Sequence, residues 1–482
     1  MKVLILNPPS KLTKNVLRDL IYGCWCKGKR IGGAKVPPLN LLYIATVLKE
    51  EGHKVKLLDA LAEQLSLEEV KKIIKDYTAV VISTSTMSFR EDSRVLAELK
   101  EVNENLKTII FGSHPTFMPE YALKEDSIDI IVRREPEYII RDLINDLEND
   151  SEKWKNVKGI GYREDGKHIL NEFYPFIENL DELPFPDRTL LPKNIDYFNP
   201  IIKRIPYTTM MTSRGCPGRC TFCTVPYFYG SKVRARSAEN VLEELRLIEE
   251  LGYKEVWIRD ETFTFFKKRN EEICKAIIRE GIDLTWICNA RVGTVDKKMM
   301  ELMKKAGCHM IKFGVESGVQ EILDNVKKGI KVETTRKNFK EAKEVGIDTH
   351  AHIMLGIPGE TKETIEKTIK FVKEIDPTTV TFGICTPYPG TKLFEEVVKE
   401  HPEIMDGSSQ DLSKIHETAF FNQYFTDLDP EELKEYVKKA YRSFYFRPGY
   451  VLKWLGKIRS IDELKRVILA GINVFSFGIG QD

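Results

Sequence analysis

From Tyr207 onward the sequence repeats one short pattern: an amphipathic stretch, a glycine, an apolar run, then polar residues. Gly252 leads into Val256-Trp257-Ile258 and Asp260-Glu261. Gly281 leads into Leu284 to Ile287 and Asn289-Ala290-Arg291. Gly307 leads into Met310 to Phe313 and Glu316-Ser317, and Gly346 leads into His350 to Leu355 and Gly356. A glycine in that place fits the left-handed turn that closes a helix, so each unit reads as helix, turn, strand. With an opening run at Thr208 to Thr212 and a last one at Val380 to Ile384, six βα-type strands are predicted. The expected architecture is a partial (β/α)6 TIM-type barrel, whose chemistry belongs at the carboxyl ends of the strands.

The first part of the chain alternates apolar runs with helical stretches: Val3 to Leu6, Val55 to Leu58, Ala79 to Ile82, Thr108 to Phe111 and Asp129 to Val132. Continuous apolar runs separated by helices predict a parallel sheet covered on both faces, a doubly wound Rossmann-like α/β domain of flavodoxin-like order. Its ligand-end loops are Asn7-Pro8-Pro9, Ser83-Thr84-Ser85, Gly112-Ser113-His114 and Arg134-Glu135. None has the Gly-x-Gly-x-x-Gly pattern, so a dinucleotide is not indicated. Asp165-Gly166 between two strand-like runs predicts a hairpin, and a proline-rich stretch follows it. The expected division is 1–150, an α/β domain; 151–206, hairpin and linker; 207–390, the barrel; 391–482, a helical domain.

Lys and Arg number 74 against 73 Asp and Glu, which argues against bulk attraction to nucleic acid. No apolar run reaches membrane-spanning length, and the chain enters its first strand directly, so no signal peptide and a cytoplasmic location are expected. The run from Val467 to Gly480 is too short to span and reads as a packed helix, with peripheral membrane contact as the alternative. Of nine cysteines, Cys274, Cys288, Cys308 and Cys385 are scattered, Cys24 and Cys26 share a long loop, and three cluster just after the first barrel strand. An odd number without an export signal predicts reduced thiols.

That cluster, Cys216-x3-Cys220-x2-Cys223, places three thiolates on one loop. Zinc sites normally close with four ligands, and no Cys/His pair stands nearby. Three cysteines can bind three irons of a [4Fe–4S] cluster and leave the fourth open. The segment resembles the radical S-adenosylmethionine (radical SAM) superfamily. The resemblance implies that Cys216, Cys220 and Cys223 hold the cluster, the metal and catalytic centre. It places Phe222 beside the adenine, Asp260 and Glu261 against the methionine ammonium, and Arg291 on its carboxylate. It also places Glu316 at the ribose, Ser317 among the S-adenosylmethionine contacts and Gly356 in the adenine-side turn. His352 departs from the family there, where Gly is common.

Asn7-Pro8-Pro9, Pro37 to Ala45, Gly52-His53-Lys54-Val55 and Leu180 to Pro186 resemble the cobalamin-binding branch of that superfamily. This implies cobalamin contacts at Asn7, Pro8, Pro9, Thr84, Ser85, Gly112, Ser113, His114 and Glu135. The Asp-x-His-x-x-Gly loop of many cobalamin proteins is absent, so no first-loop histidine ligates cobalt. His114 is expected at the corrin edge or in solvent.

The resemblance implies an enzyme that forms a 5′-deoxyadenosyl radical and methylates an unactivated carbon. Its cofactors would be a [4Fe–4S] cluster, S-adenosylmethionine and cobalamin. Its electrons would come from an external donor such as ferredoxin or flavodoxin. Ring closure or carbon–carbon coupling on an isoprenoid lipid is the alternative, and a non-catalytic cobalamin sensor is another. The partners expected are a small-molecule or lipid substrate and no nucleic acid, with the chain a monomer.

Overall fold

The computed structural model describes residues 1–10, 13–14, 18–19, 23–24, 28–29, 34–149, 152–404, 422–455 and 471–472. The loop around Cys26 and most of the apolar tail lie outside the described residues.

Two sheets organise the chain. The first contains β1 (Lys2–Asn7), β2 (Lys54–Asp59), β3 (Ala79–Thr84), β4 (Lys107–Gly112) and β5 (Ile130–Val132), parallel in the order 2-1-3-4-5. This is the flavodoxin-like order expected from the sequence. Alternation along β1 explains the two covered faces. Val3 and Ile5 pack with Leu41, Leu48, Ile140 and Leu143 on one side, and Leu4 and Leu6 with Val70, Val95 and Leu99 on the other. Ser66 and Glu69 form a capping box that starts the helix Leu67–Ile74, as the Ser-x-x-Glu spacing dictates. The hairpin β6 (Ile160–Glu164) and β7 (Lys167–Leu170) pairs antiparallel with β5 and extends this sheet to seven strands. Its turn residues Asp165 and Gly166 both take positive φ, as an Asp-Gly turn requires.

The second sheet contains β8 (Tyr207–Met210), β9 (Glu255–Ile258), β10 (Thr285–Arg291), β11 (Cys308–Glu316), β12 (Asp348–Leu355) and β13 (Thr379–Ile384). The strands are parallel in sequential order, and β8 and β13 are its edges, so the barrel is partial. One face carries Val256, Ile258, Ile311, Phe313, Ala351 and Ile353 and buries them against the intervening helices. Gly252, Gly281, Gly307 and Gly346 all take positive φ, and Gly281 and Gly346 close their helices as left-handed C-caps.

Helix Pro430–Tyr445 begins as its sequence predicts, with Asp429 accepting from the Glu431 and Glu432 amides and Pro430 at the first position. It covers the edge strand β13. Tyr445 Oη donates to the Val380 carbonyl at 2.6 Å and accepts from the Val380 amide at 2.9 Å, while Tyr441 Oη accepts from the Phe382 amide. Backbone groups that an edge would otherwise expose are thereby satisfied. Among the described residues no helix is long and apolar enough to cross a membrane.

Candidate functional site

Strand β8 delivers the chain to the three-cysteine loop, and buried charge fixes the delivery. Asp260, at the end of β9, accepts from the Thr212 amide (2.6 Å), Thr212 Oγ1 (2.5 Å) and Ser213 Oγ (2.6 Å). Its carboxylate is fully buried by this clamp. Its oxygens therefore hold the loop. Next to the clamp, Arg214 is fully buried and reaches across to the first sheet. It meets Glu137 at 2.6 and 3.2 Å and Glu135 at 3.1 Å. Glu135 also receives Arg234 at 2.8 and 2.9 Å and the Ile177 amide at 2.9 Å. Burial opposes ionisation of Glu135, but Arg214 and Arg234 outweigh it and lower its pKa. Both Glu135 oxygens are thus committed to the joint between the two halves of the chain.

The cysteines themselves lie on a close turn. A Cβ on Gly218 would stand 3.3 Å from Cys216 Sγ, 3.7 Å from Cys220 Sγ and 3.2 Å from Arg291 Nη1, so this glycine leaves room between two thiols and a guanidinium. Arg291 Nη1 is 3.8 Å from Cys220 Sγ, and Nη2 donates to the Lys328 carbonyl. All three thiols are free. Among the described residues no His, Cys, Asp and Glu side chains converge tightly enough to hold a single metal ion. In a cubane each cysteine takes a different iron, so its thiols need not converge on one point.

Around this loop the strand ends divide into two groups. Glu261 faces Cys216 electrostatically. Glu316, at positive φ, pairs with buried Lys328 at 2.6 Å. Phe222 packs with Ile357 and Val326, and the Lys328 ammonium stands 5.8 Å from its ring centre. These residues surround the open side of the cysteine loop. Ser317 does not: its Oγ is fully buried, bonded to Thr368 Oγ1 at 3.1 Å and to the Val319 amide at 3.2 Å, so it closes a turn.

Gly356 takes φ +75°, and a Cβ there would lie 2.6 Å from Leu433 and 2.9 Å from Asn422. Its amide and that of Ile357 donate to Glu360 Oε2 at 2.6 and 3.1 Å. Burial pushes the Glu360 carboxyl up to about 7 from the usual 4.5, against those two amides. The folded state therefore holds this proton more tightly than the unfolded chain. The stabilisation is complete below pH 4.5 and is lost as pH rises through 7, a change of about 3 kcal/mol. Glu360→Gln, which cannot ionise, is expected to match the parent near pH 4.5 and exceed its stability by about that amount at pH 8. Denaturant titrations across this range check it, and parallel profiles would show that Glu360 stays ionised.

The carboxyl end of the first sheet faces the cysteine loop from the other side: Phe228 and Tyr229, just after the loop, join the core of that sheet. Asn7 Nδ2 donates to Asp59 Oδ1 at 2.6 Å, which ties the ends of β1 and β2. Pro8 and Pro9 follow, the first buried and the second half-buried. Thr84 Oγ1 donates to Asp92 and the Ser85 amide to Ser88 Oγ, so both residues anchor the next helix. Gly112 lets β4 approach β3, since a Cβ would stand 2.2 Å from the Thr84 carbonyl oxygen, and buried Ser113 opens a short helix. His114 is fully buried between Phe89 (ring centres 4.2 Å apart) and Tyr121 (5.4 Å). Desolvation drops its pKa to about 3, so the ring is neutral. The expectation of a corrin-edge or solvent histidine is corrected: His114 is core. A cavity of about 480 Å³ opens between the sheets, lined by Phe117, Arg134, Phe173, Tyr227 and Phe394.

Residues 210–372 match the radical SAM superfamily profile, and residues 32–144 match that of the B12 binding domain. An uncharacterised methyltransferase of Pyrococcus horikoshii is 36% identical over 466 residues, spanning 94% of each chain. The protein belongs to the cobalamin-binding radical SAM family. An anaerobic magnesium-protoporphyrin IX monomethyl ester cyclase of Rubrivivax gelatinosus is 29% identical over 87% of this chain and 76% of its own. The fold is that of the radical SAM methyltransferase TsrM of Kitasatospora setae, solved with cobalamin and a [4Fe–4S] cluster (TM-score 0.70, 14% identity, 98% of this chain and 99% of that one). A cobalamin-binding radical SAM protein is an enzyme with three cofactors: a [4Fe–4S] cluster, S-adenosylmethionine and cobalamin. The donor set here suits them, with three free thiols on one loop beside a guanidinium and an ion pair. Sequence reasoning missed Arg214, Glu137, Lys328 and Glu360. Of these only Glu360 carried a local signal, an acid closing the Gly356 turn.

Proposed function

We propose that the protein transfers a methyl group to an unactivated carbon of a small molecule. In this reading Cys216, Cys220 and Cys223 hold the cluster. Arg291 takes the carboxylate of S-adenosylmethionine, Glu261 its ammonium, and Glu316, oriented by Lys328, its ribose. Phe222 and the Gly356 turn flank the adenine. Pro8, Pro9, Thr84, Ser85, Gly112 and Ser113 form the sheet edge that receives the corrinoid. When bound, the reduced cluster with S-adenosylmethionine supplies a hydrogen-abstracting radical, and cobalamin supplies a transferable methyl group. The chain's own work is to orient these groups and keep water from the radical. An external donor such as ferredoxin or flavodoxin would deliver the electron, and the chain would act as a monomer. The four regions 1–150, 151–206, 207–390 and 391–482 would divide this labour, with the hairpin serving the first.

One observation carries the reading: Arg214, two residues before Cys216, is locked between Glu135, in the loop after β5, and Glu137, at the start of the helix that follows. That contact supports a corrinoid edge held directly over the cysteine loop, as methyl transfer to a radical needs. The test is turnover of the loaded protein with methyl-labelled S-adenosylmethionine and a small-molecule extract of its source. Labelled product with equal deoxyadenosine and S-adenosylhomocysteine is expected. Deoxyadenosine without S-adenosylhomocysteine would replace this reading by ring closure or coupling, which the Rubrivivax cyclase relative favours. Absence of both products would sink the enzyme assignment.

A further inference from the structure

The face of the second sheet turned away from the helices is not apolar throughout. Its lower part is: Tyr207, Trp257, Ile287 and Met310 pack there with Ile202 and close the floor. One layer toward the carboxyl ends, the register lines up Asn289, Lys312, His350 and Thr379 on four adjacent strands. The next layer on the same face carries Arg291, Gly314, His352 and Thr381.

Two cations stand against one ring on this face. The Lys312 ammonium stands 4.4 Å from the centre of Trp257, and the Arg259 guanidinium 4.3 Å from it. His350 shares a hydrogen bond of 2.7 Å with Thr379 Oγ1, and His352 one of 3.0 Å with Thr381 Oγ1, with the two rings 4.5 Å apart. Lys312 is only 8% exposed and His350 5%. Two polar atoms at the floor itself are buried without a hydrogen-bond partner among the described residues: Trp257 Nε1 and Thr209 Oγ1, which face each other in register. Both leave a polar group open to a partner outside the described residues.

We infer that this inner face binds an anionic group of the substrate, a phosphoryl or a carboxylate, gripped by Lys312 and Arg259 above the Trp257 floor. The inference rests on the enzyme reading above and names the class of substrate. The physical case is direct. Lys312 and Arg259 both stand against the Trp257 indole, in surroundings where charge attraction is weakly screened. His350 and Asn289 add polar groups on the same row. Geometry also sets the substrate's size. Asn289 is two strand residues below Arg291, about 7 Å, and Arg291 borders Cys220. An anion held at the Lys312 row therefore presents a carbon a few bonds away to the cluster end.

Calorimetric titration of the cluster-loaded full chain with methyl phosphate and with acetate, at matched ionic strength in chloride, tests this. Saturable binding of at least one probe is expected, weakened at least about tenfold in Lys312→Met and largely restored in Lys312→Arg. Tighter methyl phosphate assigns a phosphoryl group, and tighter acetate a carboxylate. Equal binding by the parent and Lys312→Met, or no saturation by either probe, overturns the inference. Cluster absorbance, read on the same samples, separates this failure from failure of the enzyme reading. A parent that loads its cluster yet ignores both anions leaves the proposed function standing. Lys312→Arg guards against a Lys312→Met variant that merely folds badly.

Discussion

Arg214→Ala is expected to lower stability by about 3–5 kcal/mol and to reduce iron occupancy with it, read by denaturant midpoint and by cluster absorbance. The size follows from what remains. Arg214 and Glu137 have no exposed side-chain surface and Glu135 has 3%. Removing the guanidinium leaves Glu137 buried without its bidentate partner, and leaves Glu135 to Arg234 alone among the described cations. An uncompensated buried carboxylate costs far more than the pair contributes when intact. Arg214→Lys should fall between parent and alanine, because an ammonium keeps the charge but not the fork that spans two carboxylates. Iron loss should accompany unfolding of the joint, since Arg214 is two residues from Cys216 and shares its strand end with the Asp260 clamp. A loss below about 1 kcal/mol in Arg214→Ala would mean that water enters the joint and screens it.

The same joint shows where sequence reading stops. Both sheets were legible because their determinants are local: apolar runs of strand length, glycines closing helices, an Asp-Gly turn. The three-cysteine loop was legible because its spacing is local too. Arg214 and Glu137 are 77 positions apart, and no local pattern pairs them. Their pairing exists only once two sheets meet. What the side chains of Asp260, Ser317, Glu135 and His114 bond to was illegible for a related reason. Each stands at a strand end, where a ligand contact is the natural expectation. Whether a polar side chain there turns outward or inward depends on its neighbours. Asp260 turned to Thr212 and Ser213, Ser317 to Thr368, Glu135 to two arginines, and His114 into an aromatic core. Lys328 was invisible because it follows a short helix with no motif of its own, yet it supplies the cation for Glu316.

Cys220→Ala is expected to abolish the cluster, taking iron per chain to background, whereas Cys274→Ala should retain full iron. The contrast separates ligand from packing. Cys274 and Cys220 are both well buried, at 0% and 9% exposure, so burial alone predicts similar behaviour. Their surroundings differ. Cys274 lies on a helix among Ile273, Ile277 and other apolar side chains, where burial raises its thiol pKa and keeps it protonated. It behaves as a small hydrophobe whose loss costs about 1 kcal/mol. Cys220 instead has Arg291 Nη1 at 3.8 Å and stands beside Cys216 across Gly218. With one of three cysteines gone, a cubane would keep two protein ligands, too few for a site whose family already leaves one iron open. Anaerobic reconstitution followed by iron and sulfide analysis decides it. Equal iron in both variants would show that the metal sits elsewhere, while loss in Cys274→Ala alone would reassign the cluster to the helical face of the barrel.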